Sequence, residues 1–436
     1  MRYENYKDSG IEWIGEVPSH WCVCKIKHRY SFHTGSTPSS GRKDFYEGDL
    51  KWANISDING GILYDTAKHI TKEAVDSCSM EISPKGSLLY SFKLSIGQVA
   101  FCGEDMYTNE AIATFKQGKQ PLKYLYFIAP QFIVHNANYN IYDAPLLNQD
   151  LIKNAIIVLP STYEQQAIAT YLDEKCGEIN RAIGVQKKKI DLLNELKQTI
   201  ITDAVTKGLD PNATMKDSGV EWIGEIPEHW EVMKLNFACK KVTDFVASGS
   251  FADLRKNVTY LDEPDYAMLV RTADLSGKDK ATAKVYVSKH SYKFLSNSNL
   301  FGGEVILPNI GASIGDVYIV PEHIYEKATL GPNSIMLISK TDNHFLYYLF
   351  RSKRWREALI ILGQAAAQGK FNKTEVRGLK VIIPPITKQQ AIVAHIEKKV
   401  SKIDLQISRA NRRIELLEEL KQSIITEAVT GKIKVC

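Results

Sequence analysis

The sequence predicts an α+β protein built as a pseudo-symmetric tandem repeat, with two globular domains separated by two long helices that pair as an antiparallel coiled coil. Three observations lead there. The run from Lys7 to Trp21 returns from Lys216 to Trp230, 209 residues on, with three changes. The run from Glu195 to Thr206 returns from Glu419 to Thr430, 224 residues on. Two extended apolar stripes at helical spacing, one beside each copy of the second run, supply the third. The two offsets differ by 15 residues, so the stretches between the matched blocks have drifted in length. A duplicated frame with divergent inserts implies one scaffold presenting two different surfaces.

The first domain is placed at 1–160. Short runs rich in β-branched and aromatic residues, Gly86 to Ser91 and Gly97 to Phe101, alternate with Gly, Pro, Asn and Ser. A short helix is expected near Lys123 to Ile128. Strands and helices in this irregular order give an α+β pattern and not a βαβ alternation.

The first long helix is placed at 161–207. Its stripe runs through Ile168, Leu172, Ile179, Ile183, Ile190, Leu193, Ile200 and Ala204. Intervals near three, four and seven are those of a coiled-coil seam. Pro160 precedes the helix, Ser161 or Thr162 can cap it, and Glu164 suits the positive end of the dipole. Gly208 and Pro211 stop it.

The second domain, 208–385, repeats the α+β pattern, with strand-like runs Glu304 to Leu307 and Asp316 to Val320 and a helix expected from Asn343 to Ile361. The second long helix lies in 386–436. Pro384 and Pro385 precede it, Thr387 is its expected cap, and Gly431 closes it. Its stripe is Ile392, Ile396, Ile403, Ile407, Ala410, Ile414, Leu417, Leu420, Ile424 and Ala428. Each helix of about 44 residues would be roughly 65 Å long. Such stripes need cover. Pairing with each other is the economical solution, and it would put the domains at opposite ends; packing on the helix's own domain is the alternative. The seam is expected to use Leu172, Ile179, Ile183, Ile190, Leu193 and Ile200 against Ile403, Ile407, Ile414, Leu417 and Ile424.

Composition narrows the function. The 436 residues suffice for two domains with cores of their own. No run of about 18 apolar residues exists, so no membrane span is expected, and the polar start Met1 to Tyr6 does not read as a signal peptide. Seven scattered cysteines, of which Cys22 and Cys24 lack a second pair at zinc spacing, point to reduced thiols in a cytoplasmic protein and to no metal. The net charge is −1 over 1–160, 0 over 161–207, +2 over 208–385 and +4 over 386–436. No segment is strongly basic. If the chain binds DNA, its cations must gather on one face or partners must share the load.

Catalytic motifs are missing. No Walker-type phosphate loop and no Gly-x-Gly-x-x-Gly occurs. Gly311 to Asp316 echoes Leu94 to Gln98 and reads as a shared turn. The only Pro-Pro, Pro384-Pro385, lies between isoleucines and is no Asn/Asp-Pro-Pro-Tyr methyltransferase motif. His69, His290 and His395 stand apart from any catalytic pattern and read as surface or structural residues.

The combination resembles the specificity subunit of Type I restriction-modification systems over essentially the whole chain. Four features carry the resemblance. They are the twice-present Lys-Asp-Ser-Gly-x-Glu-Trp-Ile-Gly-Glu-x-Pro-x-His-Trp; Gly35-Ser36-Thr37-Pro38-Ser39 followed by Trp52 to Asp57; the Leu-Pro or Ile-Pro-Pro entries to the Gln-Gln-Ala-Ile helices; and the two long helices. The resemblance implies two target recognition domains, each reading half of a bipartite, gapped DNA sequence. It implies helices that act as spacer and as docking surface for two adenine methyltransferase subunits, joined by restriction and translocase subunits. It implies no catalysis by this chain and no cofactor bound to it, with S-adenosylmethionine, ATP and magnesium on the partners. A coiled-coil adaptor without DNA contact, or an enzyme in its own right, are the alternatives.

Candidate DNA-binding residues in the first domain are Ser36, Thr37, Ser39, Arg42, Lys43, Asn54, Ser56 and Lys93, polar residues in turns beside strands; the Thr37-Pro38 turn fits a purely structural role equally well. The second domain lacks the Gly-x-Thr-Pro-Ser run, its nearest stretch being Val246 to Phe251. Its candidates are Ser248, Ser250, Arg255, Lys256, Arg271, Thr272, Asn309, Ser313, Gln368 and Lys370. Arg271 to Asp274 aligns with Asn54 to Asp57, which would let the arginine reach a guanine. The basic run Arg351 to Arg356 suits either phosphates or a solvated helix face. Trp13, Trp21, Trp222 and Trp230 recur with the frame and read as core or inter-domain anchors.

Overall fold

The computed structural model describes residues 2–141, 144–276, 283–365 and 369–436. The chain divides into two compact units, Met1–Gln186 with Arg412–Cys436, and Lys187–Asn411. Each unit therefore holds one globular domain, part of the helix Thr162–Lys207 and part of the helix Ile386–Val429.

The repeated frame is a turn specification. In the first unit, Tyr6–Asp8 pairs antiparallel with Glu16–Pro18. Gly10 and Gly15 sit at φ +69° and +70°, where a Cβ is unfavourable. Asp8 Oδ1 accepts from the Gly10 amide at 2.9 Å and Ser9 Oγ accepts from the Ile11 amide at 3.1 Å. The second unit repeats each piece. Met215–Asp217 pairs with Glu225–Pro227, Gly219 and Gly224 both have φ +69°, and Asp217 and Ser218 cap the same amides. The Asp-Ser-Gly run is thus explained locally, by side chains that satisfy turn amides.

A second strand pair ties each hairpin to a long helix. Cys22–Lys25 pairs antiparallel with Ile156–Leu159, which leads into the first helix. Glu231–Lys234 pairs likewise with Lys380–Ile383, which leads into the second. Beyond the frame the domains diverge. The first has a five-stranded sheet in the order Phe32–Thr34, Ile112–Phe115, Leu88–Ser91, Val99–Cys102, Ile62–Leu63, with a three-stranded sheet of Tyr107–Thr108, Leu50–Ala53 and His69–Ile70. The second has a four-stranded sheet, Cys239–Asp244, Ser334–Ser339, Val305–Pro308, Tyr318–Ile319, and a five-stranded sheet centred on Ala267–Val270.

The helices pair antiparallel inside each unit. In the first, Ile168, Leu172 and Cys176 from the start of one helix share a core with Ala428 and Val429 from the end of the other. In the second, Ile201, Ala204 and Val205 meet Ile392, Ile396 and Val400. Among the seam residues, Leu172, Ile179, Ile183 and Ile403 are buried, while Ile190, Leu193, Ile200, Ile407, Ile414, Leu417 and Ile424 are half-buried.

The structure chooses between the two caps expected for the first helix and corrects two other local expectations. Ser161, not Thr162, caps the first helix: its Oγ accepts from the Glu164 amide, while Glu164 Oε2 accepts from the Ser161 amide, a capping box. Thr387 is not the cap of the second helix, because the helix begins at Ile386. The amides of Lys388 and Gln389 bond back to the Pro385 carbonyl, and proline favours the first turn. The helix expected from Asn343 to Ile361 is two helices, Asn343–Arg351 and Lys353–Ala365, broken at the extended Ser352. Ser352 is fully buried, and its hydroxyl donates to the Leu349 carbonyl.

Trp13, Trp21 and Trp230 pack into the core of their own unit, while Trp222 lies at the surface. Trp21 and Trp230 are fully buried. A Cβ on Gly431 would stand 3.2 Å from the Trp21 ring, and one on Gly208 would stand 3.2 Å from the Trp230 ring. Each indole therefore packs where a long helix ends. Trp13 stacks on His135 at 4.1 Å and Trp222 meets Trp355 edge-on at 5.3 Å. No helix among the described residues is long and apolar enough to cross a membrane.

Candidate nucleic-acid interface

In the first domain the loops that follow Phe32–Thr34, Leu50–Ala53 and Leu88–Ser91 converge on one segment, Asn109-Glu110. Gly35 makes the approach possible: a Cβ there would overlap the Thr108 carbonyl, and the Ser36 amide donates to that same carbonyl at 3.0 Å. Trp52 Nε1 fixes the turn by donating to the Ser36 carbonyl at 3.0 Å. The Thr37 hydroxyl donates to Glu110 Oε2. Burial opposes ionisation of Glu110, but the Thr37 hydroxyl, a backbone donor and the charge of Lys93 together hold its carboxyl below the usual range. The Asn109 amide donates to the Ala53 carbonyl and the Phe92 amide to the Ala111 carbonyl, which brings Asn54 and Lys93 to the same rim. Ser36, Thr37, Asn54 and Lys93 are thus brought together. Asn109 and Glu110, absent from the sequence candidates, complete the group. Glutamate and asparagine can pair base edges, and lysine can meet phosphate.

Other candidates lie elsewhere or are occupied. Arg42 reaches Asp44 at 2.5 Å and Glu73 at 3.1 Å and lies over the Phe45 ring at 4.2 Å. Hydrogen bonds donated to both carboxylates favour the protonated guanidinium, so its charge is already balanced. Ser39 and Lys43 are exposed beside it, and Ser56 is exposed after Asn54. Leu94, next to Lys93, is 92 % exposed with φ +56° at the tip of the loop.

The alignment of Asn54-Asp57 with Arg271-Asp274 holds to the atom. The Asn54 amide donates to Asp57 Oδ2 at 2.8 Å, and the Arg271 amide donates to Asp274 Oδ2 at 2.8 Å. The arginine side chain, however, turns inward. Its Nε and Nη2 each lie 3.1 Å from Asp274, and Nη2 also donates to the Ala283 carbonyl at 2.7 Å. Arg271 braces a loop where a free guanine-reading fork was expected. Thr272 opens the short helix Thr272–Ser276 beside it.

The second domain gathers Arg255, Asn309 and Lys370 around a cavity of about 670 Å³, joined by Phe245, Tyr260, Asn333, Ser334 and Lys373. Asn309 is held by its amide to the Asn333 carbonyl at 3.2 Å and by Nδ2 to the Phe371 carbonyl at 2.8 Å. Its Oδ1 and the Ser334 hydroxyl are buried without a partner among the described residues, a state that costs about 1–3 kcal/mol per group. Asn333 takes φ +62° after Gly331-Pro332; that Gly-Pro-Asn turn was the available sequence signal for it. Tyr260 and Lys373 carried none. Ser250 caps Phe251–Asn257 and shares a capping box with Asp253, so its hydroxyl is engaged. Lys256 is exposed on that helix, and Ser313 lies in the turn Gly311–Ser313 away from the cavity. Gln368 and the side chain of Ser248 lie outside the described residues.

The basic run is partly engaged: Lys353 and Arg356 are exposed, while Arg351 and Arg354 are half-buried. Trp355 is fully buried, Arg351 Nη1 donates to the Tyr347 hydroxyl, its carbonyl accepts from Gln198, and the Lys353 amide donates to Thr202. These residues join the second domain to the first long helix within one unit. His69 pairs with Asp65 at 3.0 Å and His290 with Asn257 at 3.2 Å.

The comparisons with known proteins point one way. The model of the Type I restriction modification DNA specificity domain matches residues 18–191 and again 227–416. The chain is 26 % identical over 436 residues to the Type I restriction enzyme MjaIX specificity subunit of Methanocaldococcus jannaschii, covering 97 % of this chain and 95 % of that one. It is 21 % identical over 453 residues to the EcoKI specificity subunit of Escherichia coli, covering 96 % and 90 %. A solved chain from a type I R-M system superposes with a TM-score of 0.68 at 13 % identity, over 96 % of this chain and 99 % of that one, and so shares the fold. With the family model matched twice, once across each copy of the hairpin-framed domain and into the long helix that follows it, the chain belongs to the Type I restriction-modification DNA specificity family.

Proposed function

We propose that this chain is the DNA-reading subunit of a Type I system, in which each target recognition domain reads one half of a bipartite, gapped sequence. The observation that carries the reading is the contrast between frame and insert. Turn and strand pair recur closely, while the polar groups offered at the two candidate interfaces differ: Thr37, Glu110 and Lys93 in one, Arg255, Asn309 and Lys370 in the other. Different donors and acceptors on one scaffold suit different half-sites. Phosphate contacts position such a complex, and its weak net charge agrees with partners sharing the electrostatic load.

The long helices serve in this reading as spacer and as the docking surface for two adenine methyltransferase subunits. Exposed leucines support the docking role. Leu192 and Leu196 are 56 % and 49 % exposed, and their repeat counterparts Leu416 and Leu420 are each 48 % exposed. Each pair is four residues apart, on one face of its helix. Restriction and translocase subunits complete the assembly in the cytoplasm of a prokaryotic cell. The chain directs catalysis and performs none. S-adenosylmethionine, ATP and magnesium are held by its partners.

The test is to map N6-methyladenine across the genome of cells expressing the chain with its methyltransferase partner, and again after deleting the chain. A two-part gapped motif that disappears on deletion is the expected result. An unchanged methylome, with assembly of the complex verified, would favour an adaptor that does not touch DNA.

A further inference from the structure

In the wall of the second domain's cavity two polar atoms, Asn309 Oδ1 and the Ser334 hydroxyl, have no hydrogen-bond partner among the described residues. Asn309 is 5 % and Ser334 1 % exposed, and both line the same space. Asn309 Nδ2 is committed to the Phe371 carbonyl, and its Oδ1, buried in the cavity wall, is an acceptor without a donor among the described residues. The walls on the other side are apolar, from Phe245, Leu254 and Val258, and Tyr260 stands half-exposed at the edge. The rim is cationic. Arg255 and Lys370 make no ion pair among the described residues, while Lys373 is held by Asp244 at 3.0 Å. A volume of about 670 Å³ lies in the range of small-molecule sites.

We propose that this cavity takes up one nucleotide whose base carries an exocyclic amine, with the amine donating to Asn309 Oδ1, the base against the apolar wall and the phosphate facing Arg255 and Lys370. Adenine, cytosine and guanine each carry such an amine, and adenine and cytosine present it on the edge where thymine has a carbonyl. Thymine presents a carbonyl oxygen in its place and would set acceptor against acceptor. Ser334 Oγ, able to donate or accept, meets a ring nitrogen or carbonyl of the same base. The proposal builds on the DNA reading of the second domain, and the nucleotide can come from two sources: a mononucleotide in solution, or a nucleotide turned out of bound DNA.

The full-length chain, purified with its methyltransferase partner, is titrated calorimetrically with dAMP, dCMP and dTMP. Either dAMP or dCMP is expected to bind roughly tenfold more tightly than dTMP, as sites that bury a hydrogen-bonding group reject ligands lacking the partner. Arg255→Ala and Ser334→Ala should each weaken that binding about fivefold, with unchanged thermal unfolding. Competition separates the sources. If DNA supplies the nucleotide, the preferred mononucleotide displaces duplex bearing the mapped target. If a free nucleotide is the ligand, it binds alongside the duplex. Equal affinity for all three nucleotides, or affinities untouched by both substitutions, with duplex binding intact, would sink the cavity proposal and leave the DNA reading standing. Nucleotide selectivity in a chain that ignores duplex would overturn the DNA reading alone.

Discussion

Lys197 Nζ lies 2.6 Å from Asp404 Oδ1, joining the two long helices within one unit, and the repeat writes the same bond a second time. The counterpart of Lys197, 224 residues on, is Lys421, and the residue 224 before Asp404 is Asn180; Lys421 Nζ lies 2.9 Å from Asn180 Oδ1 in the other unit. One contact is an ion pair, its twin a lysine on a neutral amide. Charge is thus relaxed at one copy while geometry is kept at both.

That relationship can be restored. Asn180→Asp should raise unfolding stability by about 0.5 kcal/mol at low salt, the usual size of a partly exposed ion pair. The gain should shrink in high salt and vanish in the background of Lys421→Ala. Urea unfolding of the four chains of that cycle measures it. A gain that persists without Lys421 would mean that the aspartate acts some other way.

Gly35 is required by space and Gly10 by dihedral angle, and the two should differ in cost. Gly35→Ala drives a methyl into the Thr108 carbonyl, and overpacking of this kind costs about 3 kcal/mol. Gly10→Ala meets nothing within 4 Å but must hold φ +69°, which costs about 1–2 kcal/mol. Denaturant midpoints of the two variants rank them. Equal midpoints would mean that the loop yields to the added methyl and that the close approach to Thr108 is not required.

Glu164 makes stability depend on pH in acid. Burial disfavours its charge, yet hydrogen bonds from His20, Ser161 and Trp21 outweigh burial and hold the carboxyl below the ordinary glutamate value of 4.5. A folded-state value below the unfolded one means that stability is fully present above about pH 4.5 and is lost as the pH falls through the folded value. Glu164→Gln should therefore be less stable than the parent at neutral pH, and the gap should close progressively below pH 4.5. Urea midpoints between pH 3 and 7 report it. A gap independent of pH would assign the loss to geometry alone.

Lys93 and Arg42 carry the same charge in different company. Lys93→Ala should weaken duplex binding at every sequence and lower the salt slope by about 1, as removal of one phosphate contact does. Arg42→Ala should change neither by much, because Asp44 and Glu73 already balance that guanidinium. Fluorescence anisotropy across a salt series distinguishes them, and a steeper loss at Arg42 would reverse the assignment of the interface.

Much of the frame was legible because it is written in local chemistry. The Asp-Ser-Gly turns, the glycines at positive φ, the Ser161-Glu164 cap and the helical stripes each depend on residues a few positions apart. Such patterns survive in sequence as spacing. The alignment of Asn54-Asp57 with Arg271-Asp274 was legible for the same reason, since the aspartate caps an amide three residues back. Where proline supplied the first turn, at Pro385, the expected cap at Thr387 failed because no side chain was needed there.

The candidate sites were legible only in part. Sequence singled out polar turns, and so found Thr37, Lys93, Arg255, Asn309 and Lys370. It could not show that Glu110 meets Thr37 across 73 residues, or that Asn309 and Ser334 bury unpartnered atoms in one cavity. Nor could it show that Arg42 and Arg271 spend their guanidinium groups on neighbouring carboxylates. The sequence alone determined the duplicated plan and its punctuation, because turns, caps and apolar periodicity act over short separations. The tertiary structure decided which polar groups remain free to meet a ligand, because that depends on partners brought together by folding from distant parts of the chain.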